Sequence, residues 1–462
     1  MSGQVSDKPG AAAGKQVGVG LIGFGTIGRG VVKVLRENAA VIEKRLGFPL
    51  RMVRIADLDT KTDRGIPLDG IQFDADAKGL IADPRVDIVI ELIGGYDVPR
   101  RLILESIAAG KHVTTANKAL LALHGKEIFA AAAKAGLDVG FEASVCGGIP
   151  LLRALREGLA ANQIESVFGI LNGTTNFVLT QMEATGEPFE SVLKRAQDLG
   201  YAEADPTFDV EGIDAAHKLA LLATMAFGAE LTFKEIPTQG IRGLLPIDFE
   251  QAAEFGYRIK LLGVARSHKL GGQSGGQADG REQLEVHVRP TMIPASSLLA
   301  KVDGAMNAVV VRGNAVGPTL YYGAGAGEMP TASAVVSDLM EIAREIARGG
   351  RGPVSPMSFL AEHIAPMPFV AEEELVGRAY LRMLAKDQPG VLGRITTALG
   401  AEGVGIASVV QRGQAGAEGG AVPVIVLTHP TRRAGLARAI ARLAKLGDLV
   451  GDVRVLEIEE GV

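Results

Sequence analysis

The chain has 462 residues, 47% of them hydrophobic and 22% charged, with a formal net charge of −5; this is too long for one core and implies two or three domains of an ordinary globular protein. The acidic balance, without a basic stripe, argues against a nucleic-acid partner, and no apolar run is long enough to span a membrane. The single cysteine, Cys146, cannot form an internal disulfide, which fits a reducing, cytoplasmic compartment.

Residues 1–16 are polar and rich in Gly and Ala, lack the apolar core of a signal peptide, and are expected to be a disordered tail. The apolar run 17–22 predicts a buried parallel strand. Gly23-Phe24-Gly25-Thr26-Ile27-Gly28 follows it, and Val31, Val32 and Leu35 then recur at helical spacing. Strand, glycine turn and helix in this order form the setting of a dinucleotide fingerprint, so these six residues are candidate cofactor contacts. Gly23 allows the tight turn, Gly25 the approach of a pyrophosphate, and Gly28 close packing of helix on strand. The helix N-terminus offers unpaired N–H groups to the phosphates. A glycine-rich turn in another α/β protein would look the same in isolation.

Further strands are predicted at 52–56, 88–92, 112–115 and 138–142, with helices between them that include 99–109 and 125–135. The alternation implies a doubly wound, Rossmann-type parallel sheet over residues 17–142. One long helix is expected from 27 to about 46, which displaces the ribose-binding acid from its usual spacing. Asp57, at the end of the second strand, is the candidate; Arg54, Lys61 and Arg64 nearby could meet a 2′-phosphate instead, so NAD and NADP both remain open.

Residues 143–348 read as an α+β substrate and dimerisation domain, whose helix near 331–348 either stays with it or packs back on the nucleotide domain. Strands are predicted at 166–171, 261–267 and 284–289, and helices at 175–184, 189–199 and 215–226. The Gly/Gln/Ser-rich stretch 271–280 reads as a hairpin tip. A glycine-rich run ending at Gly327 precedes a helix to about 348; it either lets backbone approach the nicotinamide side of a cofactor or is an ordinary helix entry.

Residues 203–218 hold five carboxylates and one lysine, and the second half reads as a helix. Asp214 and Lys218 are four apart, on one helical face. A lysine held charged beside carboxylates and aimed at a substrate oxygen meets the needs of proton transfer. A solvated acidic loop followed by a plain helix ion pair has the same spacing. Residues 349–377 are rich in Pro and Gly and read as a linker. Residues 378–462 carry strands at 378–384, 404–411, 422–429 and 453–458, a turn at 387–390 leading into a helix, and a helix at 432–446. This βαββαβ order is that of a small ferredoxin-like domain.

The fingerprint, Thr114-Thr115-Ala116-Asn117-Lys118, the run Glu142-Ala143-Ser144-Val145-Cys146-Gly147-Gly148-Ile149-Pro150, Leu171-Asn172-Gly173-Thr174-Thr175-Asn176-Phe177 and the stretch 200–218 resemble homoserine dehydrogenase, in family order, over about residues 17–348. The tail, through Asp387-Gln388-Pro389-Gly390, is similar to an ACT domain. No kinase segment precedes the fingerprint, so the single-function form is expected. The resemblance implies an oxidoreductase that interconverts L-aspartate 4-semialdehyde and L-homoserine with NADPH or NADH, in threonine, methionine and isoleucine biosynthesis. It implies Lys218 as proton donor and Lys118 as a second ammonium group near the nicotinamide, with Asp209 and Asp214 orienting Lys218. Glu203, and with it Asp209, would receive the substrate's ammonium group. The loop Asn172-Gly173-Thr174 would lie against its carboxylate, with Thr174 or Thr175 capping the helix. Thr114, Lys118 and Gly327 join the cofactor set.

Glu142 and the carbonyls of Val145, Gly147 and Ile149 resemble the family's monovalent-cation site, for sodium or potassium; the alternative reading is a structural turn joining the two domains with no ion. L-threonine is the implied effector at Gln411, or else the tail only oligomerises; a homodimer or homotetramer is expected. Two competing readings are an acylating dehydrogenase with Cys146 as nucleophile and a non-catalytic amino-acid sensor.

Overall fold

The computed structural model describes residues 16–269, 282–349, 355–412 and 420–462. The expected polar tail to residue 15, the hairpin tip 271–280 and residues 350–354 of the expected linker lie outside the described residues. The chain divides into two compact units, one comprising residues up to 160 with 324–364, the other 161–323 with 365–462.

In the first unit, β1 (Val17–Ile22), β2 (Leu50–Ala56), β3 (Gln72–Asp74), β4 (Ile88–Glu91), β5 (His112–Thr115) and β6 (Val139–Gly140) form a six-stranded sheet in the order β3-β2-β1-β4-β5-β6. Every pairing is parallel, as the alternation of strands and helices implies. All six residues of β1 are buried, which is why it reads as a continuous apolar run. β3 escaped the sequence reading because its three residues are exposed or half-buried at the sheet edge. The single helix expected over 27–46 is two, Thr26–Glu37 and Ala39–Leu46, broken at Asn38, a residue whose side chain competes for backbone bonds. The strand expected over 138–142 stops at Gly140, because the buried Asp338 carboxylate takes the Glu142 N–H at 2.9 Å. Asp338 lies on the helix Glu328–Arg348, whose Ala332, Val335 and Leu339 share a core with Val31, Val32 and Leu35 of the helix after β1. That late helix therefore belongs to the nucleotide-binding unit.

The second unit holds β7 (Ile164–Ile170), β8 (Tyr257–Lys269), β9 (Glu282–Pro294), β10 (Met306–Gly313), β11 (Gly317–Ala324), β12 (Val376–Lys386), β13 (Ile406–Gln411), β14 (Ala421–Thr428), β15 (Thr431–Arg432) and β16 (Arg454–Ile458). They form a mixed sheet in the order β11-β10-β7-β8-β9-β16-β12-β14-β13, with β15 beside β12. β10 and β11 were not expected from sequence. The tail has the anticipated βαββαβ order, with helices Val391–Ala401 and Arg433–Leu443 over its own core. It is not set apart from the rest of the unit, because β16 continues the sheet in parallel with β9, Glu457 opposite Thr291. The expected linker is likewise tied down: Ala365 N–H donates to Gly228 O at 3.1 Å and Val370 N–H to Leu284 O at 3.1 Å.

Candidate functional site

The nucleotide end begins where β1 meets the fingerprint. Gly23 has φ +99°, a conformation other residues rarely adopt, and a Cβ on Gly28 would lie 2.3 Å from Gly23 O. Gly25 caps the following helix without a side-chain bond, and a Cβ there would meet nothing within 4 Å. Open space above a helix N-terminus that no side chain caps fits the pyrophosphate of a dinucleotide. Phe24 is buried; Thr26 is exposed and Ile27 half-buried at the helix start. Asp57 follows β2 and its carboxylate accepts the Phe24 N–H at 2.6 Å and the Asp59 N–H at 2.8 Å, which places it at the fingerprint turn. Arg54 does not join it. Its guanidinium is paired with Asp74 at 2.8 Å and Asp76 at 3.5 Å, so the cation beside Asp57 is Arg64, at 3.6 Å, donating to Phe24 O at 2.6 Å. Thr114 is fully buried in β5. Lys118 opens the helix Lys118–Ala135, which Asn117 caps. Gly327, at φ +124°, precedes the helix Glu328–Arg348, and Glu328 pairs with Arg29 and, at 2.8 Å, with Lys33 of the helix after the fingerprint.

The turn after β6 is buried almost throughout. Glu142 accepts the N–H groups of Leu152 and Arg153 at 2.9 and 2.8 Å, and burial pushes its pKa up. Ile149 O accepts the Leu151 N–H at 2.7 Å. Cys146 has φ +54° and is 1% exposed, a shielded thiol and a poor nucleophile. Asp338, beneath this turn, is fully enclosed; burial first, then Glu142, pushes it to about 8. Sequence reading missed it, although an acid on the apolar face formed by Val335, Leu339 and Ile342 was a visible signal.

In the second unit, the helix Ile213–Phe227 carries Asp214 and Lys218 into the interior, 5% and 7% exposed. Lys218 Nζ donates to Asp214 Oδ2 at 2.7 Å and to Leu171 O at 2.6 Å. The Asn172 amide donates to Asp214 at 2.9 Å and to Asp209 at 2.7 Å, so one side chain ties both acids to the lysine. Burial and then Asp214 raise the pKa of Asp209, while Asn172 and Lys218 oppose the rise. Asn172, not Thr174 or Thr175, caps the helix Gly173–Thr185, its Oδ1 accepting the Thr175 N–H at 2.8 Å. A hydroxyl was expected there, but the Thr174 Oγ1 donates instead to Tyr201 O at 2.6 Å. A Cβ on Gly173 would lie 2.6 Å from Ala305 O, so only glycine fits against that loop. Glu203 stands on the exposed loop before this cluster and is not hydrogen-bonded to it among the described residues. In the tail, Gln411 ends β13 and its amide donates to Asp387 of the Asp-Gln-Pro-Gly turn at 3.3 Å.

A doubly wound sheet with a complete fingerprint, and a buried lysine–carboxylate cluster able to hold and move a proton, define a dinucleotide-dependent oxidoreductase. Family models agree: "Homoserine dehydrogenase, NAD binding domain" matches residues 23–142, "Homoserine dehydrogenase" residues 150–340, and "ACT domain" residues 379–447. The homoserine dehydrogenase of Pseudomonas aeruginosa is 45% identical over 448 residues, 96% of this chain and 99% of that protein. That of Bacillus subtilis is 37% identical, over 97% of this chain and 99% of its own. The crystal structure of a homoserine dehydrogenase from Thiobacillus denitrificans superimposes with a TM-score of 0.87 at 46% identity, covering 96% of this chain and 99% of that one. The chain belongs to the homoserine dehydrogenase family. That assignment removes the acylating and sensor readings.

Proposed function

We propose that the chain interconverts L-aspartate 4-semialdehyde and L-homoserine through Lys218, and that the observation carrying this is the buried Lys218–Asp214–Asn172–Asp209 network. A bound nicotinamide dinucleotide would supply or accept the hydride. Its pyrophosphate would be held by the backbone of residues 23–28, with Gly327 and Thr114 toward its other end. Asp57 would take ribose hydroxyls and Arg64 a 2′-phosphate, so both NADP and NAD would serve. In the reductive direction the aldehyde carbon gains hydride and its oxygen becomes an alkoxide; Lys218 gives that oxygen a proton. Asp214 keeps the amine charged and aimed between turnovers, and fixed charge at a developing alkoxide lowers the barrier. Lys118 keeps the role implied by resemblance, a second ammonium group for the alkoxide. Glu203, shared with Asp209, would meet the substrate's ammonium group, and the turn Asn172-Gly173-Thr174 its carboxylate. Glu142 with the carbonyls of Val145, Gly147 and Ile149 offers hard oxygen donors for sodium or potassium.

The enzyme would serve threonine, methionine and isoleucine synthesis in the cytoplasm as a homodimer or homotetramer. Threonine would inhibit it through the tail, with Gln411 as contact. Oxidation of L-homoserine, followed by nicotinamide absorbance with NADP and with NAD, tests the reading. No turnover by folded protein with either would remove it, and unchanged threonine inhibition in Gln411→Ala would remove the effector assignment.

A further inference from the structure

Glu91 is the last residue of β4 and is 1% exposed. A carboxylate so placed is costly unless donors surround it. Its Oε2 accepts the Thr115 hydroxyl at 2.7 Å and its Oε1 the Ile93 N–H at 2.8 Å. Thr115 Oγ1 in turn accepts the Asn117 N–H at 3.0 Å, and Asn117 Nδ2 donates to Gly95 O at 2.8 Å. The Asn117 Oδ1 accepts the Leu120 N–H at 3.1 Å and so starts the helix whose first residue is Lys118. The bonds close a ring that runs from Glu91 through the turn 93–95 to Asn117, Thr115 and back. Gly94 and Gly95 have φ of +73° and +81°, so this turn has a backbone shape that the ring pins in place. Strand order reverses between β1 and β4, and the crevice outside their carboxyl ends is where such sheets read a dinucleotide.

We infer that Glu91 is a positioning residue: through Thr115 and Asn117 it holds Lys118 and the 93–95 turn in place for the nicotinamide end of the dinucleotide. The inference rests on the dehydrogenase reading, but its structural half can be measured without turnover. Thr115→Val keeps the volume and removes the hydroxyl; Thr115→Ser keeps the hydroxyl and removes a methyl group. A side chain that merely fills the core would tolerate Val better than Ser. The ring predicts the reverse. Hydrogen-exchange mass spectrometry of the full chain without cofactor should show faster exchange at residues 92–96 and 116–122 in Thr115→Val and little change in Thr115→Ser. In homoserine oxidation, kcat should fall about tenfold for Val with KM for homoserine within about threefold, and stay within about twofold for Ser. Glu91→Gln, which retains volume and one acceptor, should follow Val at smaller amplitude and guards against loss of the fold. Equal exchange in Val and Ser, or a Val variant more active than Ser, overturns the inference. If the unaltered chain oxidises no homoserine, the functional reading fails by itself, and the exchange pattern still decides whether the ring positions these segments.

Discussion

Lys218 and Lys260 are both buried in the second unit, and the acid beside each differs. Lys218 has a carboxylate, Asp214, at 2.7 Å and a carbonyl at 2.6 Å. Lys260, 0% exposed, has the Val302 carbonyl at 2.6 Å and the Asn176 amide oxygen at 3.3 Å, while its nearest acid, the exposed Asp303, stands at 3.5 Å. Burial first, then the neighbouring Arg258, pushes Lys260 down to about 8 against the pull of Asp303 and Glu183. On the proposed mechanism the acid enclosed with Lys218 suits it to proton delivery, whereas Lys260, without an enclosed acid, acts as a tether. Lys260 ties the 302–306 loop to Asn176, whose amide also donates to Val302, Gly304 and Met306 at 3.1, 3.0 and 3.2 Å.

The contrast breaks most sharply at Lys218. Lys218→Met should lower kcat for homoserine oxidation about a thousandfold while leaving dinucleotide binding intact, the range for removing a general acid; a loss under tenfold would equate the two lysines. Asp214→Asn should cost roughly a hundredfold in kcat, because the amine loses its charged partner and its aim. Unchanged steady-state rates in that variant would make the pair a plain helix ion pair. Asn172→Ala should cost about tenfold, since the two acids lose their common donor, and with it the Asp209 pKa should rise further, read as an upward shift of the acid limb of the pH–rate profile.

Lys260→Met should keep kcat within about threefold and destabilise the fold by about 1–3 kcal/mol at neutral pH, as two buried acceptors lose a donor. Its pH dependence sharpens the comparison further. The folded pKa of about 8 lies below the 10.5 of an unperturbed lysine, so between these values the unfolded chain binds more protons and stability rises with pH. Relative to Lys260→Met, the unaltered chain should gain stability as pH is raised through that window, measured by urea unfolding. A difference that is flat or falls with pH would place Lys260 among the charged, well-paired lysines.

Features read correctly from sequence share one property, that their cause acts between near neighbours in the chain. The fingerprint glycines announce a turn that other residues cannot make, and Asp214 with Lys218 one turn later announces an ion pair. The break at Asn38 was missed because one polar residue in a helical pattern is weak evidence. β3 and β11 were missed because strands with exposed or half-buried positions show little apolar patterning. Asn172 was expected near a ligand; its cap bond is to the Thr175 N–H three residues on, but its role as bridge between Asp209 and Asp214 depends on groups 37 and 42 residues away. Arg54 and Arg64 looked interchangeable until β3 and the helix cap after it brought Asp74 and Asp76 to one of them.

The sequence by itself determined the doubly wound sheet, the fingerprint turn, the βαββαβ tail and the lysine helix, because backbone sterics and short periodicities are local. Tertiary structure alone decided that β16 runs beside β9 and that Glu91 closes a ring with Thr115. Each of those outcomes satisfies a buried polar group or apolar face with a partner distant in sequence, and such partners become definite only once the chain has folded.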